Sequence, residues 1–279
     1  MQIDGTSSVL VHLACPAAHL QTPQRFNRRC AERGINAVLV PWQVQPDNLA
    51  AMMQALRNAE SVAGMVVTIP HKETAARLCD RLEGVADLLQ VANVIRREAD
   101  GSLTGRILDG DGFVGGLRAE NVQIAGRSAL IVGAGGVALA IGAALIESGV
   151  ARLHIANRTQ ARAEEMRARL ALLAEKIGAR TDLALSEPDP AGFDIVVNAT
   201  ALGMYDGDAL PVSPDRLTPQ MTVAEVVMVP AITPLLRAAE ARGARTVPGS
   251  AMIAGQIDPF IDFVLTRRKG GGAEVSQEK

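Results

Sequence analysis

The chain has 279 residues, 48% of them hydrophobic and 21% charged, and its 28 basic and 30 acidic side chains leave a net charge of −2. That composition is that of an ordered globular protein long enough for two cores, and it excludes a disordered chain. The near balance of charge gives no electrostatic reason for nucleic acid or an anionic membrane as partner, and leaves small neutral or anionic ligands open.

The first stretch, "MQIDGTSSVLVHLACP", carries Asp4 and no basic run ahead of a long apolar one. No export signal is expected, and the cytoplasm is the default setting. Cys15, Cys30 and Cys79 are widely spaced and form no CxxC pair, and His12, His19, His71 and His154 are equally scattered. A disulfide framework is excluded. The "DGDG" at 109–112 lacks the further oxygen ligands of a calcium loop, so no metal is expected.

Strand and helix signals then alternate. Val9 to His12 reads as a short strand, Pro23 to Gly34 as a helix ending at glycine, and "AVLVPW" as a strand. Asp47 is expected to cap the helix "NLAAMMQALRNA". Next comes "GMVVTIPHK", a strand stopped by Pro70 with Lys72 at its mouth, where open α/β sheets place their ligands. Strands joined by helical crossovers predict a mostly parallel sheet. The glycine-rich "LTGRILDGDGFVGGL" is expected to mark a change of domain.

The second part opens on "SALIVGAGGVALAIGAALIESG", an apolar run in which a buried strand turns into a helix at Gly133, Gly135 and Gly136. Glycines permit that turn and let backbone N–H groups approach a pyrophosphate, whose charge a helix amino terminus favours. The pattern is GAGGVA, with Ala138 at the third glycine position. A dinucleotide is therefore expected at Gly133, Ala134, Gly135, Gly136 and Val137. About 20 positions on, an acidic residue would suit the free ribose hydroxyl of NAD. The chain has Asn157 there, followed by Arg158, Thr159 and Arg162. Guanidinium forks fit a phosphomonoester, which favours NADP and leaves NAD open.

Taken in order, "VTIPHKE", "DGSLTG", "GAGGVA", "NRTQARAEE", "VNATALGM", "PAITPLL" and "GSAMIAGQ" resemble the shikimate dehydrogenase family over most of the chain. The resemblance implies an α/β fold with two domains and an active site in the cleft between them. Residues 1–105 would form the substrate domain and 106–247 a Rossmann-type NAD(P) domain, with 248–279 returning to the first domain as a helix and a disordered tail. It also implies a catalytic pair, Lys72 and Asp109, with Thr68, Asn93 and Gln256 binding the substrate. Thr200 and Met204 fall on the cofactor side. Hydride transfer from an alcohol requires removal of the hydroxyl proton, a task suited to a lysine beside a carboxylate.

The departures from the family pattern run in one direction. The family's HSxSPxxH, whose serines hold the substrate carboxylate, is aligned with "HLACPAAH", which puts Leu13 and Cys15 at the serine positions. An expected asparagine is Val66, the NTD triplet reads Ile107, Leu108, Asp109, a usual tyrosine and asparagine are Met228 and Val229, and the AVNT motif ends in Val94. Each lost hydrogen bond to a charge is worth about 1.5–3 kcal/mol. The expected function is an NAD(P)-dependent oxidoreductase acting on a ring hydroxyl of a shikimate- or quinate-like, or less polar, cyclic substrate. Authentic NADP-dependent shikimate dehydrogenase and a non-catalytic nucleotide sensor are the alternatives. The expected partner is that small molecule, with no nucleic acid and no membrane, in a monomer or homodimer.

Overall fold

Alternating apolar segments fold here into two six-stranded sheets joined by a crossing of glycine-rich helices. The computed structural model describes residues 3–18 and 20–265. Sequence expectations for the tail beyond 265 lie outside the described residues.

The first part runs β1 (Ser8–Ala14), α1 (Thr22–Glu32), β2 (Ala37–Gln43), α2 (Leu49–Arg57), β3 (Val62–Val67), α3 (Lys72–Arg77), β4 (Arg81–Leu82), α4 (Val85–Leu89), β5 (Val94–Arg97) and β6 (Leu103–Arg106). Its sheet order is β2-β1-β3-β5-β6-β4. Pairing is parallel at β1–β2, β1–β3 and β4–β6 and antiparallel at β3–β5 and β5–β6. Asp47 does not cap α2: it lies in a 3-10 turn, Pro46–Asn48, and no side chain caps the helix that follows. Pro46 fixes φ for that turn, so the helix proper starts later than the Asp signal suggests.

The second part runs α5 (Asp109–Ala119), β7 (Ser128–Val132), α6 (Gly136–Glu147), β8 (Arg152–Ala156), α7 (Gln160–Ile177), β9 (Asp182–Leu185), β10 (Ile195–Asn198), β11 (Thr222–Glu225), α8 (Pro234–Ala241), β12 (Arg245–Val247) and α9 (Gly249–Leu265). All pairs of its sheet are parallel, in the order β12-β11-β10-β7-β8-β9. This is the doubly wound dinucleotide-binding order, whose direction reverses at β7. The apolar run from Ser128 divides into β7 and α6, and among the described residues no helix is long and apolar enough to cross a membrane.

The glycines at 110–116 do not form a loose linker. They lie inside α5, where they let other helices approach. A Cβ on Gly112 would stand 2.1 Å from Gln256 Cγ and 2.6 Å from the Met252 carbonyl oxygen, and one on Gly110 would stand 2.1 Å from the Ala140 carbonyl oxygen. So α9 and α6 both meet α5 backbone to backbone. From there α9 continues onto the first sheet, where Phe260, Ile261 and Val264 pack with Phe26 of α1, Val66 and Val94. Arg29 of α1 grips Asp258 through two hydrogen bonds of 2.9 and 3.0 Å, and Arg33 reaches Asp258 and Asp262.

Candidate active site

Lys72 owes its position to a pinned turn. After β3 the Thr68 N–H donates to the Leu13 carbonyl of β1 (3.0 Å) and the His71 N–H donates to the Thr68 carbonyl (2.9 Å). The His71 ring lies 2.9 Å from the Val44 carbonyl oxygen, and Lys72 follows as the first residue of α3. Its own carbonyl accepts from the Ala92 N–H at 3.2 Å, which brings Asn93 alongside. Asn93 is held in turn through its N–H to the Arg106 carbonyl (2.9 Å) and its carbonyl to the Val67 N–H (2.8 Å).

Asp109 opens α5, where the positive end of the helix favours a carboxylate. Its Oδ1 accepts from Asn93 Nδ2 at 2.7 Å and from Gln256 Nε2 of α9 at 2.9 Å, while its Oδ2 accepts from Lys72 Nζ. Asn93 Oδ1 accepts from the Leu108 N–H at 2.9 Å, which orients the amide so that its Nδ2 faces Asp109. Lys72, Asn93, Asp109 and Gln256 are all buried. A buried pair with its remaining lone pairs satisfied resists disruption, since removing one partner strands the other charge.

The four residues line a cavity of about 200 Å³, smaller than the ~300–1,000 Å³ of drug-sized ligand sites and suited to one small metabolite. Thr68, Val66 and Met228 also line it. Leu13 and Cys15 do not. Successive strand residues point to opposite faces, and Leu13 pairs with Val67 across β1 and β3. Both belong to the apolar layer with Met53 and Leu56 of α2, on the face away from α9. The Cys15 thiol lies 3.5 Å from Gln45 Oε1. Ile107 and Leu108 are also packed into apolar clusters.

In place of Leu13 and Cys15, the structure brings Leu20, Gln21 and Thr22 to the cavity. The signal was present in the sequence. The spacing of histidine, then a hydroxyl- or thiol-bearing residue three on, then proline occurs twice, as "HLACP" from His12 and as "HLQTP" from His19. Aligned on the second copy, the two serine positions are Leu20 and Thr22. One hydroxyl is therefore kept, and one is replaced by an apolar side chain.

A second, larger cleft of about 980 Å³ opens at the carboxyl ends of the second sheet and is lined by Gly133, Asn157, Arg158 and Thr200. Gly133 has φ +118, and a Cβ there would stand 2.8 Å from the Ala199 carbonyl oxygen, so only glycine serves. Gly135 precedes α6 with nothing within 4 Å of an added Cβ, and no side chain caps the helix. The free N–H groups of α6 thus face open space, as a pyrophosphate requires. These residues fit a dinucleotide. Ala134, Gly136, Thr159, Arg162 and Met204 do not line the cleft, and Arg162 and Met204 are exposed. Val137, in the first turn of α6, lines the substrate cavity instead and so stands between the two clefts.

Sequence reasoning missed two features. Leu185 to Pro188 and Tyr205 line the dinucleotide cleft; the first group follows the third strand of the winding order, which could have located it. Glu225 ends β11 buried, accepting from Asn198 Nδ2 (2.9 Å) and the Thr233 hydroxyl (2.6 Å). Burial pushes its carboxyl above its ordinary pKa, and the two hydrogen bonds oppose that shift. Asn198 also accepts from the Thr200 hydroxyl (2.6 Å), so this network fixes the loops carrying Thr200 and Met228 beside both clefts.

A doubly wound dinucleotide fold whose cleft adjoins a buried lysine–aspartate pair defines a nicotinamide-dependent oxidoreductase. Two family models match: the shikimate dehydrogenase substrate binding domain over residues 13–95, and shikimate / quinate 5-dehydrogenase over residues 117–203. The chain is 41% identical to a shikimate dehydrogenase (NADP(+)) of Rubrobacter xylanophilus over 253 residues, covering 90% of this chain and 88% of that one. Among solved structures it is similar to a ligand-free 5-ketofructose reductase of a Gluconobacter strain, with TM-score 0.84, 27% identity and 95% of each chain covered. It is also similar to a shikimate 5-dehydrogenase of Listeria monocytogenes in complex with shikimate and NAD, with TM-score 0.85, 28% identity and 96% and 94% coverage. The chain belongs to the shikimate dehydrogenase family, and is an NAD(P)-dependent oxidoreductase.

Proposed function

We propose that the protein interconverts a secondary alcohol and a ketone on a small cyclic hydroxy compound less polar than shikimate, preferring NADP. The observation that carries this reading is the Lys72–Asp109 pair, saturated on its far side by Asn93 and Gln256 and set in a cavity with Leu20, Val66 and Met228. When bound, the nicotinamide supplies the hydride acceptor or donor. The chain's own residues handle the proton: as the carbonyl forms, the hydroxyl proton passes to the pair and is held between Lys72 Nζ and Asp109 Oδ2. Asn93 and Gln256 keep Oδ1 occupied, so that Oδ2 stays turned to the lysine. Arg158 at the mouth of the larger cleft, with no acid at Asn157, supports NADP and leaves NAD usable.

In this reading residues 1–105 with the returning α9 hold the substrate and residues 106–247 hold the dinucleotide, with Thr159 and Arg162, on the exposed start of α7 beside Arg158, offered to the phosphate of NADP. The range is supported by two similar proteins, one a 5-ketofructose reductase and the other a shikimate 5-dehydrogenase in complex with shikimate and NAD. A cytoplasmic monomer or homodimer goes with it, and sedimentation equilibrium separates those two states. The test is a comparison of wild type with Lys72→Ala on a panel of cyclic alcohols, followed by nicotinamide absorbance, with NADP affinity titrated in parallel. Turnover should fall by at least about a thousandfold, within the ~10²–10⁴ ascribed to general acid–base groups. NADP affinity should hold. Arg158→Ala should lower the NADP-to-NAD affinity ratio, and full turnover by Lys72→Ala would end the proposal.

A further inference from the structure

Two carboxylates are buried among the described residues, Asp109 and Glu225. Asp109 faces Lys72. Glu225, only 1% exposed, is met instead by two neutral donors, Asn198 Nδ2 at 2.9 Å and the Thr233 hydroxyl at 2.6 Å, and forms no ion pair among the described residues. The other bonds of those donors fix their direction. Asn198 turns its Oδ1 to the Thr200 N–H (3.1 Å) and hydroxyl (2.6 Å), and the Thr233 oxygen accepts from the Leu236 N–H at 3.2 Å. Asn198 Nδ2 and the Thr233 hydroxyl proton are thereby left to point at Glu225. Both of its oxygens meet donors, the arrangement that suits an ionised carboxylate, which only accepts.

A buried charge without a counter-ion is costly. The amino terminus of α8, capped by Thr233, offsets this one by about half a unit. A cation from outside the chain would complete the compensation, and the position of Glu225 indicates which. Val226 and Met228, just after Glu225, line the substrate cavity, while Thr200, tied to it through Asn198, lines the dinucleotide cleft. In the sheet order β12-β11-β10-β7-β8-β9, the glycine turn follows β7 and Arg158 follows β8. A dinucleotide laid across that switch point with its adenosine end at Arg158 sends its nicotinamide end to the β10–β11 side. The oxidised nicotinamide ring is a cation, and the reduced ring is neutral.

We infer that Glu225 sets the redox preference of the bound cofactor, its negative charge favouring the cationic, oxidised nicotinamide over the neutral, reduced one. The inference rests on the dehydrogenase reading for which end of the dinucleotide meets the substrate. Its consequence concerns direction. In ketone reduction the hydride passes from the reduced ring to the carbonyl carbon, the proton reaches the oxygen from the Lys72–Asp109 pair, and the ring left behind is the form that Glu225 stabilises. On the protein the equilibrium is drawn toward alcohol and oxidised cofactor.

Calorimetric titration of the substrate-free protein with oxidised NADP and, separately, with NADPH tests it at about pH 8, where carboxyls are ionised. Glu225→Gln keeps the size of the side chain and an acceptor for Asn198, and removes the charge. It should weaken oxidised NADP by about tenfold, the scale of one unit charge acting over ~10 Å of protein, and leave NADPH within about twofold. Glu225→Asp, which keeps the charge, should restore most of the preference. Equal losses for the two forms, as a purely structural role would give, or no loss for either, overturns the inference. Wild type should itself bind oxidised NADP at least as tightly as NADPH, and tighter binding of NADPH overturns the inference even where Glu225→Gln does not fold. Turnover of cyclic alcohols is recorded on the same samples: a shifted affinity ratio without wild-type turnover sinks the substrate reading alone, and turnover with an unshifted ratio sinks the role of Glu225 alone.

Discussion

Leu20 and Thr22 carry the main revision at the scale of single residues. With one serine position apolar and the other still a hydroxyl, the loss to a substrate carboxylate from this segment is one hydrogen bond, about 1.5–3 kcal/mol, or roughly one to two powers of ten in affinity. Leu20→Ser should therefore raise kcat/KM for shikimate by about that factor. The gain should come through KM, because a contact far from the reacting carbon is made equally in ground and transition states. Cys15→Ser should leave shikimate kinetics unchanged. Leu13→Ser should lower stability by about 3 kcal/mol or more, since it truncates a fully buried side chain and buries a hydroxyl in an apolar layer. Steady-state kinetics with thermal melts on the three variants check these outcomes, and they separate the two copies of the histidine–proline spacing. The sequence could not choose between those copies because the choice is made by strand parity, which depends on where β1 ends.

At the scale of elements, the crossing of α5 and α9 sets the geometry of the site. Asp109 is the first residue of one helix and Gln256 lies on the other, so the hydrogen bond between them depends on how closely the two axes approach. Gly112→Ala would drive a Cβ into Gln256 and the Met252 carbonyl. It should cost about 1–3 kcal/mol of stability, as overpacking does, and lower kcat by displacing the Gln256 amide, with NADP affinity intact. Glycine-rich sequence reads equally well as linker and as close-packed helix, and only the tertiary partner decides. That is why the segment 110–116 was legible in composition and not in role. The outer end of α9 is tied differently. The hydrogen bond from Arg29, helped by a weaker one from Arg33 and by both guanidinium charges, holds the Asp258 carboxyl below its ordinary pKa against the opposing effect of burial. A depressed carboxylate contributes stability above the unfolded pKa of ~4 and loses it as pH falls through the folded value. Asp258→Asn should lower Tm at pH 7 by a small amount, because the pair is half exposed, and the difference should close below about pH 4.

Across the whole molecule, two sheets meet at a cleft whose larger side fits a dinucleotide and whose smaller side fits one small ring, with Val137 between them. The second sheet was readable because its strand, glycine turn and helix are consecutive in sequence, so local pattern carries the site. Lys72, Asn93, Asp109 and Gln256 come from four separate segments, and their assembly followed from resemblance to a family, not from spacing. The cavity wall was the least legible part, since it is written in which face of β1 and which turn after it meet α9. The central claim is that this family member keeps the proton-handling pair while its cavity has turned away from carboxylated rings. Wild-type kcat/KM for NADP-linked oxidation of shikimate, set against the same ring with its carboxylate replaced by a hydroxymethyl group, measures that claim directly. The account predicts a millimolar or weaker KM for shikimate and the higher kcat/KM for the neutral alcohol; a micromolar KM for shikimate, with the alcohol the poorer substrate, would contradict it.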